Sequence, residues 1–183
     1  MTKSALLVMD VQQNIVGRVQ DPAYVPRVAR AVAAARDAGV PVLHVVVGFR
    51  TGHPEANPAN KTFGALSPGA FTPEDAGAGI HPGVAPADGE TVVVKKRVSA
   101  FAGSDLQLLL RAGGIEHLVL AGIATSGVVL STVRQAADLD YRLTVLSDGC
   151  ADADAETHRF LTEKIFPRQA EVTTIDAWAE TLG

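Results

Sequence analysis

The chain is short of the residues on which several kinds of chemistry and location depend. It has one cysteine, Cys150, so no internal disulfide can form, which fits a reducing compartment. Aromatic residues make up 5% of the 183 positions, and the formal net charge is −4. The first is too few for a base-stacking surface, and the second provides no basic field for a phosphate backbone. A nucleic-acid partner is therefore not expected. Long apolar runs are also missing. The N-terminal stretch MTKSALLVMDVQQ has an apolar run of about six residues before Asp10, too short for a signal-peptide core or a membrane span. No membrane partner and a cytoplasmic location are expected.

What is present is an ordinary globular composition, 47% hydrophobic and 20% charged, which argues against disorder. The length fits one domain spanning residues 1–183. Short β-rich runs alternate with helical patterns. Ala5–Val11 is nearly all apolar, as in a strand covered on both faces. Val40–Val47, Thr91–Lys95, Leu118–Gly122, Arg142–Leu146 and Glu171–Ile175 are the other predicted strands. Between them lie helices at Pro26–Ala38, from Ser104 to the Gly113–Gly114 stop, at Thr125–Asp138 and at Asp154–Phe166. This alternation predicts a three-layer, doubly wound, Rossmann-like α/β fold with a mainly parallel six-stranded sheet. Gly48–Gly89, rich in Gly, Pro and Ala, has no period. It leaves the carboxyl end of the second strand, the edge at which such sheets bind ligands, and reads as a wall or lid beside a pocket.

Three strand ends carry candidate chemistry. Asp10 follows five apolar residues; it is either a desolvated acid or base, or a turn residue. Lys95 in VVVKKRVSAF either holds an anion or pairs with Asp10, or belongs to a solvated basic turn; Lys96 points the other way. The turn GIATSGVVLST, Gly122–Thr132, opens a helix and reads either as an anion or oxyanion site cradled by the early N–H groups of the Thr125–Val128 backbone or as an ordinary glycine-rich strand-to-helix turn. Arg50 is placed either to bind a substrate carboxylate or as an exposed loop arginine. Phe63 and Phe101 fit pocket walls and core packing equally well. Other nucleophile candidates are weak: Ser126 has no histidine near it in sequence, and a lone Cys150 more often packs in the core. His44 reads as a satisfied core histidine, His53 as a solvated loop residue and His158 as a surface residue.

Taken in order, D-x-Q (Asp10, Gln12), K-x-R-x-S-A-F (Lys95, Arg97, Ser99, Ala100, Phe101) and G-x-x-T-x-x-x-V-x-x-T (Gly122, Thr125, Val129, Thr132) resemble the isochorismatase-like cysteine hydrolases, as does LTVLSDGCADADAETH. The resemblance implies that family's fold, a cis peptide before Thr125, a homo-oligomer (dimer or tetramer) and a small-molecule substrate. It also implies an Asp–Lys–Cys triad matched here by Asp10, Lys95 and, at the cysteine position, Val128. Valine cannot attack a carbonyl, so thioester chemistry on amides is not expected. The D-x-H metal site of some nicotinamidases has no counterpart in FRTGHPEANP, and no metal or cofactor is expected.

The isochorismatases proper, similar in the K-x-R-x-S-A-F phrase, work without the cysteine. An Asp protonates a vinyl ether and water captures the cation. Burial would favour a protonated Asp10 and a charged Lys95 would oppose it. Those enzymes have glycine at the Val128 position, so this pocket is narrower. Two functions remain: a hydrolase using Asp10 as acid or base with Lys95 as its electrostatic partner, or a binding protein derived from the same fold. Gln12, Arg50, Phe101 and Ala124–Gly127 are the expected substrate contacts.

Overall fold

A computed structural model describes residues 3–183; Met1 and Thr2, the start of the N-terminal stretch read above, lie outside it. Six parallel strands form one sheet: β1 Ser4–Met9, β2 Val42–Val47, β3 Thr91–Lys95, β4 His117–Ile123, β5 Arg142–Ala151 and β6 Glu171–Thr173. Their order across the sheet is β3-β2-β1-β4-β5-β6. The α-helices are α1 Gln13–Val16, α2 Tyr24–Asp37, α3 Leu106–Ala112, α4 Leu130–Asp138, α5 Ala155–Phe160 and α6 Ile175–Glu180.

The apolar run in β1 is explained by its central place. Ala5, Leu7 and Met9 face one layer with Leu106 and Leu110 of α3 and Val133 and Ala136 of α4. Leu6 and Val8 face the other, with Val28, Ala31 and Val32 of α2 and Trp178 of α6. A strand that alternates between two covered faces must be apolar at every position. Because the chain winds outward from β1 through β2 to β3 and then returns to β4 on β1's other side, the carboxyl ends of β1 and β4 flank a topological switch point, where open α/β sheets form their ligand crevice.

Several element ends differ from the sequence expectation. β1 stops at Met9 because Asp10 takes φ 56°, outside the extended region. β5 runs five residues beyond Leu146, across a register shift against β4 between Leu120 and Gly122. The polar residues that suggested a turn are used as fasteners: Ser147 Oγ donates to Thr173 O (3.0 Å), and Asp148 Oδ1 accepts from Ile175 N (2.8 Å). Ile175 opens α6 rather than ending β6, with Thr174 Oγ1 capping Ala177 N at 3.2 Å. The helix expected over Asp154–Phe166 is α5 capped by Asp154, followed by a wide turn and a 3-10 turn at Phe166–Arg168. Likewise Thr125–Val129 is a wide helical turn leading into α4. Gly48–Gly89 has no strand and two short 3-10 turns, Ala76–Ala78 and Pro82–Val84. It is nevertheless fastened: Asp75 accepts from Phe71 N and Gly77 N, and Phe49, Phe63 and Phe71 form a small core with Val47.

Candidate active site

The site begins with the last apolar residue of β1. Met9 delivers Asp10 to the crevice, and the left-handed backbone there turns its carboxylate back toward β2 and β3. Asp10 is 6% exposed and Lys95, at the end of β3, is 2% exposed. Lys95 Nζ lies 2.9 Å from Asp10 Oδ2 and donates to Arg97 O at 3.0 Å. Among the described residues Asp10 Oδ1 is buried with no hydrogen-bond partner. Burial pushes the Asp10 carboxyl up to about 6, with Lys95 pulling the other way. Desolvation thus exceeds the attraction of one ammonium.

The K-x-R-x-S-A-F phrase builds the floor and one wall. Arg97 donates to Glu55 O of the long loop (2.8 Å) and lies over the Phe63 ring, 5.8 Å from its centre. Ala100 N donates to Thr132 Oγ1 at 3.0 Å, which joins this phrase to the last threonine of the β4 turn. Lys96 does point away: its Nζ donates to Gly48 O at 2.6 Å on the far side of the loop. The turn itself enters through a cis peptide between Ile123 and Ala124. Gly122 has to be glycine, since a Cβ there would sit 2.5 Å from Met9 O.

These parts enclose a cavity of about 410 Å³. Asp10, Lys95, Ala124, Gly127 and Val128 line it together. Phe63, Leu66 and Phe71 of the loop form the facing wall, so Gly48–Gly89 serves as a wall. The remaining expected contacts are placed elsewhere. Gln12 is fully buried and clamps the loop to β2: its Nε2 donates to Val47 O (3.0 Å) and Ala78 O (2.7 Å), and its Oε1 accepts from Val47 N (2.9 Å). Arg50 is exposed and paired with Glu55 at 2.5 Å. Phe101 packs in the core beside Tyr141, their ring centres 6.0 Å apart. Thr125 is buried and hydrogen-bonds His158 Nδ1 at 2.8 Å. Ser126 donates through N and Oγ to Asp152 Oδ2, at 2.8 and 2.6 Å.

Three histidines also differ from expectation in their surroundings. His158 is a half-buried partner of Thr125, with its pKa lowered by that burial. His53 fastens the loop through Ala70 O at 2.7 Å. His44 bonds Glu90 through Nε2 (3.0 Å), but its buried Nδ1 has no partner among the described residues. Cys150 lies within β5 rather than after it; it is buried, and burial pushes its thiol up to about 12. Arg18 and Asp152, which also line the cavity, were not singled out from the sequence. Arg18 belongs to no patterned phrase that would mark it, and Asp152 lies within LTVLSDGCADADAETH as one of three aspartates that the phrase does not tell apart.

Comparison with known proteins agrees with this architecture. The model of the isochorismatase domain matches residues 4–177. The chain belongs to the isochorismatase family of hydrolases. It is 35% identical over 169 residues to the ureidoacrylate amidohydrolase RutB of Variovorax paradoxus, a match covering 79% of this chain and 67% of that one. It is 30% identical to the probable inactive nicotinamidase At3g16190 of Arabidopsis thaliana, covering 98% and 96%. A solved isochorismatase family protein from Desulfovibrio vulgaris superposes with a TM-score of 0.88 at 28% identity, covering 100% of this chain and 99% of that one. Among the described residues no group of three or more His, Cys, Asp or Glu could hold a metal ion, and no helix is long and apolar enough to cross a membrane.

Proposed function

We propose that this isochorismatase-family protein hydrolyses a small molecule by acid–base chemistry at Asp10, without a cysteine nucleophile. One observation carries the reading. At the floor of the cavity a buried carboxyl sits 2.9 Å from a buried ammonium, with one oxygen unpartnered and its pKa near 6. The residue in the family's cysteine position is Val128, 2% exposed, which supplies neither a nucleophile nor a proton.

The chemistry that suits this site is hydrolysis of an enol ether or a related C–O or C–N bond. Protonated Asp10 gives its proton, held at Oδ1, to the terminal carbon of the double bond, leaving an oxocarbenium ion. Water adds to the cationic carbon and returns a proton to the Asp10 carboxylate. The hemiketal then collapses to a ketone and an alcohol. Lys95 stabilises the carboxylate formed after proton transfer, and the apolar walls keep the acid desolvated. Since the protonated acid is the active form, kcat/KM falls as pH rises through about 6.

The same valine, together with the relative named as probable inactive, favours a second reading: a protein that binds a ligand and does not turn it over. The two separate on purified protein given isochorismate and a panel of amides and esters, beside Asp10→Asn. Pyruvate release that Asp10→Asn abolishes supports the enzyme. Silence across the panel, or equal turnover by the variant, sinks it; ligand binding retained with no turnover leaves the second reading standing.

A further inference from the structure

Two cationic groups face the cavity, and one of them has no partner. Lys95 is held by Asp10 and by Arg97 O. Arg18, two residues beyond α1, lines the cavity and also a neighbouring groove that shares Val19, Asp152 and Ala153 with it. Arg18 is exposed, and among the described residues its guanidinium makes no ion pair or hydrogen bond. Asp152, the acid in the same lining, makes no ion pair with it and accepts the N–H and the hydroxyl of Ser126. The remaining lining is mostly apolar, with Ile15, Val19, Phe63, Leu66, Phe71 and Val98.

The charge balance follows from the mechanism proposed above, on which this inference rests. Once Asp10 holds its proton, the Lys95 ammonium loses its counter-charge inside a desolvated cavity, a costly arrangement. Lys95 and Arg18 then face the same space as two cations against one remaining carboxylate, Asp152, which leaves one positive charge unmatched. The geometry points to a substrate with a compact apolar body and one carboxylate, the carboxylate held by Arg18 and the reacting end lying against Asp10. A planar guanidinium matches the two oxygens of a carboxylate. A phosphate, with more oxygens to satisfy, would meet a wall with few donors. Arg50, the arginine placed by its sequence position for this task, cannot share it: it is paired with Glu55 and lines a separate groove rather than this cavity. Arg18 is thus a specificity-determining residue for an anionic substrate.

The test uses two probes of nearly equal shape, benzoate and the neutral nitrobenzene, which the protein cannot hydrolyse. Titration calorimetry at about pH 5.5, where benzoate is ionised and Asp10 is mostly neutral, compares wild type, Arg18→Gln and Arg18→Lys. The expected result is that wild type prefers benzoate. Arg18→Gln weakens benzoate by about tenfold, as loss of a charge-assisted hydrogen bond would, and leaves nitrobenzene unchanged, while Arg18→Lys keeps part of the preference. Equal binding of the two probes by wild type, no binding of either, or a preference that survives Arg18→Gln overturns the inference. The readout needs no turnover. A protein that shows the Arg18 effect but hydrolyses nothing refutes the proposed reaction alone, and turnover with no Arg18 effect refutes the anion site alone.

Discussion

Asp10→Asn should change how the stability of this fold depends on pH, and the size of the change can be worked from the site. The Asp10 carboxyl is raised from its ordinary 3.8 to about 6 in the folded protein. The folded state therefore holds a proton across a range in which the unfolded chain has released it. A group raised in this way contributes stability that is fully present below the unfolded pKa and lost as pH rises through the folded one. About 2 pKa units at 1.36 kcal/mol each give roughly 3 kcal/mol over the whole span, of which about 2 kcal/mol falls between pH 4.5 and 8. Asparagine has nearly the same shape and stays neutral throughout, so the variant lacks this term while every distant titration is shared. Urea denaturation of both proteins across that range isolates it. Wild-type stability minus that of Asp10→Asn should fall by about 2 kcal/mol from pH 4.5 to 8. A flat or rising difference would mean that Lys95, 2.9 Å away, outweighs desolvation and keeps Asp10 ionised. The acid role proposed for it would then lack its physical basis.

Two further outcomes test other parts of the structure. Gln12→Leu removes three hydrogen bonds and strands the buried Val47 backbone. It should cost about 2–4 kcal/mol in denaturant titrations and speed amide exchange at Val47; exchange that stays slow would show that the clamp is not what holds the loop to β2. Val128→Cys places a thiol on the cavity wall. Iodoacetamide should alkylate it in the native protein faster than Cys150, whose thiol is pushed up to about 12, as read by mass spectrometry. Labelling of Cys150 at the same rate would show that its surroundings do not hold the thiol protonated.

Asp10 and Lys95 could be placed in one site from the sequence because each sits at the end of a strand-like run, and parallel strands bring such ends to one edge; Val128 was placed there by the family resemblance of the Gly122–Thr132 turn. Gln12 and Thr125 were recognisable by spacing but not by role. Their side chains turned inward to fasten β2 and His158, which depends on residues 35 and 33 positions away. Arg18 was invisible, since an arginine in a short irregular stretch resembles any solvated residue until the fold sets it beside the cavity.

Composition and periodicity alone determined the α/β class and the parallel sheet, because these follow from local patterns of apolar residues. The tertiary structure decided that, among the described residues, Lys95 is the paired cation of the cavity and Arg18 the unpaired one, how far burial raises Asp10, and that Gly48–Gly89 is a fastened wall. Those properties depend on distances and desolvation between residues far apart in the chain, and a linear pattern does not encode them.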